Sequence, residues 1–325
     1  MTSDKQVTRV RKVRIDDERE GQRIDNFLRS QLPGVPKGRL YRLLRRGEVR
    51  VNGGRVRADY KLAEGDEVRI PPARINTDGP PPSTKLAHDI LDHVLYEDKR
   101  LLVVNKPSGV AVHGGSGVSH GVIELLRHAR PELRDLSLVH RLDRETSGCL
   151  VVAKKRSALR ELHARFREGQ VEKNYLALVV GDWQFGERLI DKPLLVRNRK
   201  GGERHVVVSR EGKQARTRVR LSRTYGVYSL LQCSPETGRT HQIRVHLQSE
   251  DHPIVGDDRY GDEAANKAAR KFGLPRLFLH AQSIAFADDG GNDLHFTAPL
   301  ADDLERFLSV GVVAAAREKK ARRRR

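Results

Sequence analysis

The segment VHRLDRETSGCLVVAK, Val139 to Lys154, sets one carboxylate, Asp143, between Arg141 and Arg144, with His140 just upstream. An apolar pocket raises the pKa of a carboxyl group, and nearby cations oppose the rise by favouring the charged form. An acid placed among arginines ahead of an apolar run can therefore stay ionised beside a dry pocket, as a nucleophile or general base must. Buried without a partner it would protonate instead. The patterns of other chemistries are missing. His113, His140, His241 and His246 follow no ligand spacing, and no cysteine or carboxylate cluster completes them, so no metal site is expected. Gly109, Gly114 and Gly115 match neither GxGxxG nor GxxxxGK[ST], which removes a phosphate-binding loop. Cys149 and Cys233 form no CxxC, and Cys149 reads as a small core residue.

The elements that must carry these residues fall into two blocks. The chain has 325 residues, 37% of them hydrophobic, which is enough for two domains. Its 62 Lys and Arg against 43 Asp and Glu leave a formal charge of +19, and such an excess calls for a polyanionic partner. Nucleic acid is the first candidate and an anionic membrane surface the second. No run approaches 18 apolar residues and the N-terminus has no apolar signal core, so a cytoplasmic, reducing setting is expected, without a membrane span.

Residues 1–72 read as a small α/β module, with an ordered core from about residue 20. In GQRIDNFLRSQL, residues Ile24, Phe27, Leu28 and Leu32 recur at helical spacing. In KGRLYRLLRRG, residues Leu40, Leu43 and Leu44 share one helix face and Arg39, Arg42 and Arg46 another, with Gly47 at the end. EVRVNGGRV predicts a hairpin turning at Asn52-Gly53, and GDEVRIPP a further strand. Residues 73–90, with Pro80, Pro81 and Pro82, predict an extended linker. In residues 91–310 strands outnumber helices and do not alternate with them. This predicts an α+β fold with a mixed, largely antiparallel sheet flanked by helices and loops. TGRTHQIRVHL has two readings: a helix capped by Thr240, or a strand alternating at Ile243, Val245 and Leu247. Residues 311–325, ending in AAREKKARRRR, are expected to be a disordered basic tail.

The first block, through RIDNFL, the arginine-rich second helix, EVRVNG and GDEVRI, resembles an S4 domain, a small RNA-binding module. The second is similar to the pseudouridine synthases that isomerise uridines in large-subunit ribosomal RNA. Five motifs carry this in the family's order: VVNKPSGVAVHGG (103–115), VHRLDRETSG (139–148), EKNYLALVVG (172–181), SPETGRTHQIRVHL (234–247) and HPIVGDDRYGD (252–262). The reaction moves the C1′ bond of uridine from N1 to C5 without net redox, so no cofactor is expected. The resemblance implies that Asp143 is the essential carboxylate, as nucleophile at C1′ or base at C2′. It implies that Arg244 pairs with Asp143, where a bidentate guanidinium would fix the carboxylate. It implies that Arg141 fills the RNA stack when the target base flips out, and that Tyr175 lies against the uracil, orienting it first and moving the C5 proton second. It implies a base-flipping enzyme whose partner is large-subunit ribosomal RNA or its assembly intermediates, held in part by Arg39, Arg42, Arg45 and Arg46. A monomer is expected. Two rivals are a non-catalytic assembly factor, indifferent to Asp143→Asn, and a glycoside hydrolase using Glu145 or Glu236 as a second carboxylate, which would release free uracil.

Overall fold

The computed structural model describes residues 6–7, 9–32, 35–75, 82–114, 120–133, 135–198, 204–315 and 317. The chain divides into two compact units, Met1–Ser83 and Thr84–Arg325.

In the first unit the helices Ile24–Gln31 and Lys37–Arg45 bury the expected faces, with Ile24, Phe27, Leu28, Leu40, Leu43 and Leu44 in one core. The second helix ends in a Schellman turn: Gly47, at φ 67°, donates its N–H to the Leu44 carbonyl, and Glu48 donates to Leu43. An antiparallel sheet runs Arg11–Arg14, Glu67–Ile70, Arg50–Val51. The predicted hairpin takes a different form. Asn52 and Gly53 do make the tight turn, at φ 50° and 80°. Val51 and Gly54 then share a single bridge, and Arg50–Val51 pairs with Glu67–Ile70 instead. The cause is Asn52, whose side chain bonds the Glu67 N–H at 2.8 Å and the Asp66 carboxylate at 2.7 Å, tying the turn to the later strand.

In the second unit ten described strands form one sheet. Its main path is Glu187–Asp191, Arg216–Tyr225, Tyr228–Pro235, Glu172–Val180, Leu279–Ala287, Ser147–Ala153, Leu101–Lys106, Val94–Glu97. Every pairing is antiparallel except Ser147–Ala153 with Leu279–Ala287, so the sheet is mixed and largely antiparallel as the sequence predicts. Ser147–Ala153 is buried at every position, which explains its unbroken apolar run. Helices Val122–Ala129, Arg156–Glu168, Gln242–Gln248 and Glu263–Lys271 flank it.

Three expectations change. Within residues 73–90 the structure has a helix, Thr84–Asp89, whose Ala87 is buried, and Ile90 packs against Leu102 and Val104. Residues 76–81, with Pro80 and Pro81, lie outside the described residues. At the other end, Val312 and Ala315 are fully buried in the core beside Leu304 and Phe307. Gly311, Val312 and Ala315 thus pack while Val313 stays exposed, and residues 316 and 318–325 lie outside the described residues. TGRTHQIRVHL resolves into the helix Gln242–Gln248, with His241 rather than Thr240 at its N-cap. Gln242 to Leu247 are all buried, so the apolar alternation carried no strand signal.

The parallel pairing depends on Gly148, at φ 112°, because a Cβ there would sit 2.2 Å from the Ala281 carbonyl oxygen. Gly148→Ala is expected to lower unfolding free energy by about 2–3 kcal/mol, read by urea unfolding. An unchanged transition midpoint would contradict the packing described.

Candidate active site

Asp143 lies in the loop entering Ser147–Ala153. Leu142 is buried in the core, and Arg141 and Asp143 on either side of it face outward, as alternation in extended chain requires. The loop is clamped to residues 106–110. Gly109 N–H donates to Arg144 O at 2.9 Å, Arg144 Nε returns a bond to Gly109 O at 2.8 Å, and the Ser108 hydroxyl donates to Glu145 O at 2.8 Å. Lys106, fully buried, spreads its ammonium over the carbonyls of Pro107, Val110 and Arg144 at 2.7, 2.8 and 3.1 Å. Burial pulls its pKa down to about 7, against the attraction of Glu145 and Asp143.

Arg244 reaches the acid, but not in the bidentate form expected. Its Nη1 lies 3.5 Å from Asp143 Oδ2. The bidentate partner is Asp257, with Nε–Oδ2 at 2.7 Å and Nη2–Oδ1 at 2.8 Å. Asp257 also accepts the N–H groups of Arg259 and Tyr260. Burial works against the charge on both partners, and their mutual bonds outweigh it. The Arg244 pKa is raised and the Asp257 pKa held below the usual carboxylate range. Asp257 lies inside the HPIVGDDRYGD motif, where sequence reasoning assigned it no role, and no spacing in the sequence signals its pairing with Arg244.

His241 approaches the same carboxylate, with Nε2 3.9 Å from Asp143 Oδ2. Its backbone is left-handed, at φ 53°, an uncommon conformation for a side-chain-bearing residue. Val206 N–H donates to the Tyr260 hydroxyl oxygen at 2.9 Å, leaving the phenolic proton free for His241 Nδ1, also at 2.9 Å. The ring N–H is thereby assigned to Nε2, facing Asp143. Burial lowers the His241 pKa, with Asp143 opposing and Arg244 and Arg259 reinforcing, so the ring is held neutral near pH 7.

Tyr175 sits on Glu172–Val180 at a register shift against Leu279–Ala287, between Asn174 and Tyr175. Such a bulge re-aims a side chain. Burial first, and the charge of Asp143 second, push its phenol pKa well above the ordinary value. A proton-accepting phenolate is therefore disfavoured, and the ring is left as an apolar wall. Asp143, Tyr175, Arg141 and Arg244 together border a cavity of about 110 Å³. Two wider clefts adjoin it. One, of about 730 Å³, shares Arg141, Asp143 and Arg244. The other, of about 670 Å³, shares Arg141 and Tyr175. The structure thus brings all four predicted second-unit residues to one place. In the first unit, Arg39, Arg42, Arg45 and Arg46 are exposed on and just beyond the helix Lys37–Arg45, opposite its buried leucines, and make no ion pair among the described residues.

The family models match on the same two units. Residues 100–249 match RNA pseudouridylate synthase and residues 22–68 match the S4 domain. A Salmonella typhi protein named ribosomal large subunit pseudouridine synthase C is 53% identical over 307 residues, covering 93% of this chain and 96% of its own. This chain belongs to the RNA pseudouridylate synthase family. Proteins of the same name from Haemophilus ducreyi, 53% identical over 91% of this chain and 93% of theirs, and Pasteurella multocida, 51% identical over 96% and 95%, place it equally. The solved structure of Human RNA Pseudouridylate Synthase Domain Containing 4 aligns with TM-score 0.57 at 26% identity, covering 72% of this chain and 96% of that one. As a pseudouridine synthase the chain is an enzyme, and the cluster at Asp143 is its candidate centre.

Two outcomes follow from this geometry. Tyr260→Phe removes the donor to His241 Nδ1, so nitrogen NMR is expected to show the Nε2–H form giving way to a mixture; an unaltered ring spectrum would contradict the assignment. His140 is held neutral, Val151 N–H donating to its Nε2 at 3.0 Å, and burial, then Lys173, lower its pKa to about 3. The folded pKa lies below the unfolded value near 6.5, so the unfolded chain takes up the proton first. Stability from this residue is complete above about pH 6.5 and drains toward pH 3, by up to about 1.4 kcal/mol per pH unit. His140→Gln is expected to flatten that slope in urea unfolding across this range; an equal slope would remove His140 as its source.

Proposed function

We propose that this synthase converts uridine to pseudouridine at one or a few positions of large-subunit ribosomal RNA, with Asp143 as its essential residue. The observation that carries the reading is the Asp143 carboxylate, 3.5 Å from Arg244, at a cavity also walled by Arg141 and Tyr175. The names of the relatives support the choice of RNA.

The target nucleotide swings out of its stack, and Arg141, exposed beside the cavity, takes its place against the neighbouring bases. Unstacking costs a few kcal/mol, which the guanidinium partly offsets. The uracil lies on Tyr175 and its ribose turns to Asp143. The carboxylate acts there as nucleophile at C1′ or base at C2′; either way the C1′–N1 bond breaks, the base turns within the cavity, and C1′ bonds to C5. The C5 proton is lost and N1 ends protonated, so atoms balance without a cofactor. Arg39, Arg42, Arg45 and Arg46 of the S4 unit hold the RNA through its phosphates. The reading places the enzyme in the cytoplasm, as a monomer.

Asp143→Asn is expected to cut pseudouridine formation at least a thousandfold while leaving RNA affinity within about threefold. Carbodiimide mapping of ribosomal RNA from cells lacking the gene, complemented with wild type or Asp143→Asn, checks this. Full complementation by the variant, or released free uracil, would overturn the reading. Affinity is expected to fall steeply between 50 and 200 mM salt, by about tenfold or more; affinity indifferent to salt would remove the phosphate contacts.

A further inference from the structure

The two wide clefts beside the small cavity differ in how their charges are balanced. In the 730 Å³ cleft three arginines have acids of their own, Arg244 with Asp257, Arg276 with Asp303 and Arg144 with Glu145, and Arg141 stands on the wall it shares with the other cleft. The 670 Å³ cleft lies between the end of the helix Arg156–Glu168, the start of the strand Glu172–Val180 and the turn at 235–239. Among the described residues Arg141, Arg167 and Lys173, which line it, have no carboxylate partner. Glu236, an acid on its wall, is drawn away to Arg218 at 3.1 Å. Lys173 is half-buried, with its Nζ 5.8 Å from the centre of the Phe166 ring. Burial lowers its pKa. A half-buried ammonium without a counter-ion is costly unless a ligand supplies the missing charge.

We infer that this cleft is the path of the RNA strand directly adjoining the target uridine, with Lys173 and Arg167 meeting its phosphates. The inference rests on the isomerase reading for the identity of the polyanion. Continuity carries it: Arg141 and Tyr175 border both this cleft and the cavity at Asp143. Arg141 borders the other cleft as well, but Tyr175 borders this cleft and the cavity and not the other cleft, so a chain whose base lies on Tyr175 has this opening beside it. The opening holds uncompensated positive charge, as a phosphodiester backbone needs and an acidic side chain does not provide. Free anions and acidic peptides share the charge but not this attachment to a nucleotide already seated.

The test uses the full chain in single-turnover assays on a ribosomal RNA fragment containing the target. Lys173→Gln is expected to raise the half-saturating RNA concentration about fivefold to tenfold and to lower the salt slope by about one. Lys173→Arg, which keeps the charge, should restore most of the affinity, whereas a merely structural lysine would not be rescued this way. The same assays are run on RNAs in which single phosphates within two nucleotides of the target are replaced by neutral methylphosphonates. For one such position, wild type should lose the same affinity and Lys173→Gln should lose nothing more. Unchanged affinity and salt slope in Lys173→Gln, or losses that add at every position, would overturn the inference. Failure of the isomerase reading would appear separately, as wild-type protein forming no pseudouridine on the unmodified fragment.

Discussion

The site is organised by the buried pair Arg244–Asp257. Breaking one partner of such a pair leaves a charge in a poorly solvating place and costs about 3–5 kcal/mol. The guanidinium therefore cannot swing freely, and its remaining edge stays turned to Asp143 at 3.5 Å. Asp257 is itself fixed by the amides of Arg259 and Tyr260 and by the tight course of Gly256, at φ 78°, where a Cβ would meet the Arg276 carbonyl oxygen at 2.0 Å. The arginine approaches from the helix Gln242–Gln248, whose left-handed entry at His241 also aims that imidazole at the acid. One oxygen of Asp143 thus faces two prearranged groups, and neither must reorganise when charge shifts on the carboxylate.

From the other side, the loop bearing Asp143 is held by its backbone. Lys106 gathers three carbonyls, one of them from Arg144, and the amide of Gly109 closes on the same atom. Motifs far apart in sequence, NKPSG and HRLDRETSG, are therefore two halves of a clamp, and the side chain of Asp143 takes no part in it. The Asp143 carboxylate meets Arg244 at 3.5 Å and His241 at 3.9 Å, long contacts that leave it able to turn to substrate, whereas Asp257 accepts four short hydrogen bonds.

Much of this was legible in the chain. Periodicity at Ile24, Phe27, Leu28, Leu40, Leu43 and Leu44 gave the first unit's core, and the strand-rich second block gave a mixed sheet. The motifs gave Asp143, Arg141, Tyr175 and Arg244, which share one cavity. What stayed hidden depends on three-dimensional pairing. Arg244 was expected to grip Asp143 with both nitrogens, and nothing in the spacing reveals that Asp257 takes that geometry. The segment Gln242–Gln248 is buried on all sides, so its alternation fitted a strand as well as a helix. The three carbonyls that hold Lys106 come together only in the fold, and the sequence around it does not display them. Ile90 and Val312 lie in stretches whose composition is set by their neighbours, prolines in one case and arginines in the other, and single buried side chains do not shift such an average.

The most direct test is a double-mutant cycle on the rate of pseudouridine formation in single turnovers at saturating RNA, with Arg244→Lys, Asp257→Asn and the pair combined. If Asp257 acts by aiming Arg244 at Asp143, the double variant is no slower than the slower single variant. Losses that multiply would mean that the two residues serve the reaction independently, and would contradict the account.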